Sequence, residues 1–155
     1  MSRIARLTTL VLLSAALAVV IGPARLHAIV FGFVDSKNSF PNAGAFIVKS
    51  PTTGRIFPIC SGTLIAPAVF LTASLCTAFF EDSLAPRGFT AFVSFDNPIP
   101  FGDLTSRGTR LIEVERVGTN PAVNQAQSDP GDIAVLIIPE RSTRSLTPAT
   151  LPTAG

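Results

Sequence analysis

Beyond residue 43 the chain is a series of short apolar runs separated by turn formers, and this pattern sets the expected architecture. Ala45-Phe46-Ile47-Val48 is the first run, and it ends at Ser50-Pro51-Thr52-Thr53-Gly54, a cluster of residues suited to a turn. Extended stretches are expected at Arg55 to Cys60 and Gly62 to Ile65, and after Ala66-Pro67 at Val69 to Ala73. Thr90 to Phe95 is rich in β-branched and aromatic residues, which fit a pleated surface. Leu111 to Val117 partly alternates, with Ile112 and Val114 on one face and Glu113 and Glu115 on the other. Asp132 to Ile138 is a nearly continuous apolar run, as expected of a buried strand. The pattern predicts about six short strands at spacings typical of a sandwich or barrel. Thr77 to Leu84 is expected to form a short helical turn. From Pro139 the chain turns polar and proline-rich and reads as a linker or tail over 140–155.

The first 28 residues follow a different rule. Arg3 and Arg6 precede fifteen uncharged residues, Leu7 to Ile21, and Gly22-Pro23 breaks the run. This is the layout of a helical secretory signal peptide over 1–28, with cleavage after Ala28 or, alternatively, after Ala24. A membrane-spanning helix needs roughly 20 apolar residues, and the run is shorter than that. The expected location is therefore secreted or periplasmic, with no stable membrane anchor after cleavage. Cleavage also removes three of the twelve basic residues and none of the ten acidic ones, so the mature charge falls near −1. No basic surface remains to suggest a nucleic-acid partner. The apolar fraction of 47% against 14% charged residues excludes a solvated, disordered chain.

Candidate chemistry is sparse. Two cysteines and one histidine cannot supply a four-ligand zinc site. There is no phosphate-binding glycine loop, so no metal and no cofactor is expected. The carboxylate pairs Glu81-Asp82 and Glu113/Glu115 read as solvated faces, and the twelve phenylalanines read as core. Cys60 and Cys76 lie sixteen residues apart, and in an exported chain a disulfide between them is the default inference. That bridge would stabilise the fold by about 3 kcal/mol on the chain-entropy account.

Around those cysteines the sequence resembles a known family. Cys60-Ser61-Gly62-Thr63-Leu64-Ile65-Ala66-Pro67, followed by Phe70-Leu71-Thr72-Ala73-Ser74-Leu75-Cys76, is similar to the first barrel of trypsin-like (chymotrypsin-fold) serine proteases. Asp132-Ile133-Ala134-Val135-Leu136 resembles the strand that carries the family's triad acid, and 56 residues separate positions 75 and 132. Ile29-Val30-Phe31-Gly32 resembles the family's mature N-terminus. The resemblance implies an all-β fold, a six-stranded antiparallel Greek-key barrel over 29–139. It also implies a Cys60–Cys76 bridge, Asp132 at the triad-acid position and serine endopeptidase activity as the family function.

Two departures bear on that activity. Leu75 stands where the family has its catalytic histidine, and leucine cannot act as a general base. No Gly-Asp-Ser-Gly-Gly stretch, the family's nucleophile motif, occurs in the 155 residues. The expectation is a truncated serine protease homologue, inactive alone, lacking the Ser-bearing second barrel. Two alternatives stand beside it. One is a fragment of an active endopeptidase completed by a separately encoded or frame-shifted half. The other is a secreted, non-enzymatic β-barrel binding module. Any partner is expected to be a protein or peptide, and the barrel face left uncovered is a candidate for association. A buried Asp132 carboxylate facing Leu75 would be unpaired, and would require a shifted pKa, solvent access or a substitute donor such as Ser74.

Overall fold

The computed structural model describes residues 35–99, 108–123 and 130–152. The proposed signal segment 1–28 and the Ile29-Val30-Phe31-Gly32 stretch lie outside these residues.

Seven strands form one antiparallel sheet in the order β5-β4-β1-β2-β3-β7-β6. They are β1 (Ala43–Lys49), β2 (Ile56–Ala66), β3 (Val69–Thr72), β4 (Thr90–Ser94), β5 (Ile112–Glu113), β6 (Arg116–Gly118) and β7 (Ala134–Ile137). The two ends of this order are consecutive in the chain. On β4, Phe92 and Val93 pair with Glu113 and Ile112 of β5, while on β7, Ile137 and Leu136 pair with Arg116 and Val117 of β6. Between them, Val114 N–H donates to Ala91 O and Glu115 N–H donates to Ile137 O. The segment 112–118 therefore passes from one edge of the sheet to the other and curls it into a barrel. Counted as one strand, it leaves six around the ring, the expected number, with no long free edge at the join.

The strand pattern in the sequence is realised with two differences. Arg55–Cys60 and Gly62–Ile65 fuse into the single eleven-residue β2. Leu111–Val117 is divided into two ladders because it changes partner at Val114. The expected helical turn is longer: α1 (Ser74–Phe79) runs on through a π-helical turn at Phe80–Leu84 and a 3₁₀ turn at Ala85–Arg87. It stops at Gly88, whose φ of 80° is the left-handed conformation that favours glycine.

The barrel interior holds Phe46, Val48, Leu64, Phe70, Val93, Leu136 and Ile138, and Phe80 closes one end with its ring edge-on to Phe46 at 5.8 Å. β1 is buried on both faces: Phe46 and Val48 point inward, while Ala45 and Ile47 meet Ile56 on the outside. Hence β1 reads as a continuous apolar run and not as an alternation. Gly44 and Gly62 pair across β1 and β2. A β-carbon on Gly62 would strike the Phe70 ring and Leu71 O, and one on Gly44 would lie 2.6 Å from Ser94 O. Phe70 occupies the space these two glycines leave.

The segment after Pro139 is held against the barrel. A 3₁₀ turn at Glu140–Ser142 leads to buried Thr143, whose hydroxyl bonds Pro67 O and Glu140 O. Arg110 donates to Ser142 O at 2.8 Å, and Ala149 N–H donates to Leu64 O at 2.8 Å.

Candidate functional site

The fold brings the residues singled out in the sequence to one place. Cys60 lies on β2 and Cys76 on the first turn of the short helix α1. They form a disulfide with a Cα–Cα distance of 6.3 Å, within the roughly 4.4–6.8 Å span a bridge tolerates. This link pins α1 to the barrel wall. Leu75 sits beside the bridge, and its N–H donates to Asp132 Oδ1 at 2.7 Å. Asp132 lies two residues before β7, and positions 75 and 132 meet although 57 residues apart in the chain.

The expectation for Asp132 changes in one respect. The carboxylate is half-buried and bonded, and its donor is the Leu75 backbone, not Ser74. The Ser74 hydroxyl is committed elsewhere: it donates to Ile133 O at 2.7 Å and accepts the Asn120 N–H at 2.9 Å. Asn120 in turn donates from its amide to Gly131 O at 3.0 Å. Fully buried Ser74 thus ties α1, the loop after β6 and the entry to β7 together and fixes where Asp132 stands. Sequence reasoning missed this clamp. It also missed Thr119, whose hydroxyl bridges the Thr77 hydroxyl and the Glu81 carboxylate. Thr119-Asn120-Pro121 announces a turn in the sequence, and Ala122 N–H does bond Asn120 Oδ1, but nothing local shows what the turn packs on.

What the site can do follows from its side chains. The Leu75 side chain is 45% exposed and offers neither donor nor acceptor. Ile133, next to Asp132, is 58% exposed, and Phe79, one turn along α1 from Leu75, is 49% exposed. Exposed apolar side chains thus neighbour Asp132, and among the described residues there is no imidazole for the carboxylate to orient. A hollow of about 310 Å³ adjoins it, lined by Ser61, Thr63, Leu71, Ala73 and Ile133 along with Asp132 itself. Among the described residues no group of three or more His, Cys, Asp and Glu side chains is placed to hold a metal ion.

Comparison with known proteins agrees with the geometry at the level of fold. No family model matches the chain, and no curated protein does. Among solved structures, the chain is similar to HL collagenase, a trypsin-like serine protease, with a TM-score of 0.55 and 19% sequence identity over 81% of this chain. The match spans 48% of the collagenase chain, so this protein covers about half its length. A closed antiparallel barrel, with the Cys60–Cys76 bridge and Asp132 meeting Leu75 at the start of β7, has the fold of the N-terminal barrel of a chymotrypsin-like serine protease.

Proposed function

We propose that this chain is an exported, non-hydrolytic homologue of trypsin-like serine proteases, a protein that keeps the first barrel as a binding scaffold. The observation that carries the reading is the Leu75 N–H bond to Asp132. It supports placing Leu75 at the family's histidine position beside the triad-acid position. At that position a leucine side chain can neither take a proton from a serine nor return it to a leaving group. The 155 residues contain no nucleophile motif to activate. Triad knock-outs keep a residual rate only where an oxyanion hole and a substrate site remain. The bridged cysteines are compatible with an oxidising, extracytoplasmic setting.

The test is a peptidase assay of the oxidised full chain on fluorogenic peptide amides carrying Arg, Leu or Phe before the scissile bond, with a fluorophosphonate probe for an activated serine. No turnover above buffer and no labelling are expected. Turnover that Asp132→Ala abolishes would overturn the reading.

A second reading is favoured by the span of the collagenase match: the chain as one half of an active enzyme whose other barrel is supplied separately. It predicts that hydrolysis appears when such a half is added. With Leu75 in place this reading still lacks a base, so it further predicts that Leu75→His raises the rate.

A further inference from the structure

Asp132 Oδ1 accepts the Leu75 N–H, and among the described residues no cation pairs with this side chain. Its second oxygen therefore keeps its acceptor capacity. The hollow beside it, about 310 Å³, lies at the small end for ligand pockets and suits a side chain better than a whole metabolite. Leu71, Ala73 and Ile133 supply apolar wall, and Ser61 and Thr63 supply hydroxyls. Among the described residues no basic one lines it. The part-exposed carboxylate borders this mixed wall with no cation beside it among the described residues, so it is free to attract one.

The kind of cation follows from the donor count. With one lone pair of Oδ1 taken by the Leu75 N–H, a two-pronged guanidinium would have to share that oxygen, which favours a donor that needs only Oδ2. An ammonium is a point donor with three hydrogens, and one carboxylate oxygen with hydroxyl neighbours suits it. Its aliphatic stem can lie on apolar wall while the charged head meets the carboxylate. Leu75, whose N–H bonds Asp132, and Ile133, its chain neighbour, are both exposed and offer contact area to apolar residues flanking that stem. We propose that this hollow is a docking site for a lysine side chain carried on an otherwise apolar polypeptide segment, its ammonium on Asp132 and its neighbours on Leu75 and Ile133. The proposal deepens the non-hydrolytic reading and rests on it, because an imidazole at position 75 would claim the same carboxylate.

The experiment is a ¹⁵N-NMR titration of the full oxidised chain with the peptide acetyl-Leu-Lys-Leu-amide. Saturable shifts of the Leu75, Asp132 and Ile133 amides are expected. Affinity should fall about tenfold or more with the ε-acetyl-lysine peptide and in Asp132→Asn. The Asn variant keeps an acceptor for Leu75 N–H, and an otherwise unchanged spectrum shows that it folds. Equal binding of the acetylated peptide, or of the variant, overturns the proposal. Arginine peptide binding as tightly as lysine peptide overturns the monodentate ammonium. Equal affinity for n-butylamine alone overturns the polypeptide as carrier, and self-association through Leu75 and Ile133 before peptide is added overturns the open hollow. The two readings fail separately: hydrolysis in the peptidase assay removes both, whereas no shifts and no hydrolysis remove only the lysine site.

Discussion

At the scale of single residues, Ser74 does more for the site than Asp132 does for stability. Ser74 is fully buried and serves one donor and one acceptor. Ser74→Ala leaves the Asn120 N–H and Ile133 C=O without that partner; both bonds are part-buried, so the loss should be about 1–3 kcal/mol in total. The urea midpoint should fall accordingly, and the Leu75 amide should lose protection from hydrogen exchange as Asp132 drifts. Asp132→Asn keeps an acceptor for Leu75 N–H and should cost less than about 1 kcal/mol, while Asp132→Ala should cost about 1 kcal/mol. Of this site, the sequence showed the identities at positions 60, 75, 76 and 132, because each falls within a linear motif. It did not show Ser74's partners, which come from loops 46 and 59 residues away. At the other end of the described chain, Asp35 accepts the Ser39 N–H at 2.9 Å and the Phe40 N–H at 3.2 Å, which hold its carboxyl below the ordinary aspartate value, the Ser39 bond first. A depressed folded pKa stabilises at higher pH and is lost as pH falls through it. Loop 35–40 should therefore lose its amide protection below the ordinary aspartate range while the barrel stays folded.

At the scale of elements, the barrel depends on a pair of glycines whose role is steric. Neither Gly44 nor Gly62 has a positive φ; what matters is the Phe70 ring between them. Gly62→Ala puts a methyl group against Leu71 O and that ring, and backbone cannot move aside as a flexible side chain can. The expected cost is about 3 kcal/mol or more, toward the upper end of overpacking. Chemical denaturation measures it, and Phe70→Leu in the same chain should recover part of the loss by vacating the ring. Strand positions were legible because apolar runs and turn clusters are local signals, as at Ala45–Val48 and Ser50–Gly54. The division of 112–118 was not, since one uninterrupted run can bond to β4 and then to β7 without any mark in its own residues. The fusion of β2 across Ser61 was hidden for a related reason: the barrel's two partners, β1 and β3, take over from each other along it.

At the scale of the whole molecule, two long-range fasteners hold a barrel built from short ladders. One is the Cys60–Cys76 bridge, which closes a loop of sixteen residues and anchors α1. The other is the segment after Pro139, which the sequence presents only as polar and proline-rich. Thr143 is buried with its hydroxyl on Pro67 O, and this contact crosses 76 residues of sequence. Arg110, Leu64 and Asn42 bond the same segment through Ser142, Ala149 and Thr147. The bridge acts mainly on the unfolded chain, so its loss should lower stability by about 3 kcal/mol while leaving the native contacts of the strap in place. Removing residues 143–155 acts on the folded state instead. It exposes the ends of β2 and β3, leaves Pro67 O and Leu64 O without those donors and leaves the Asn42 amide without its acceptor, which should cost about 2–4 kcal/mol from three lost hydrogen bonds and the packing of Leu146. The fasteners grip different parts of the barrel, the bridge at α1 and the strap at the β2–β3 turn. Distant sites with no shared partner add nearly independently. The double variant, Cys60→Ala with Cys76→Ala and the truncation, should therefore lose close to the sum of the two single losses in urea midpoint free energy. A loss well short of that sum would mean that the strap and the bridge stabilise one cooperative contact, and that the barrel closes as a single unit from α1 to Ala149.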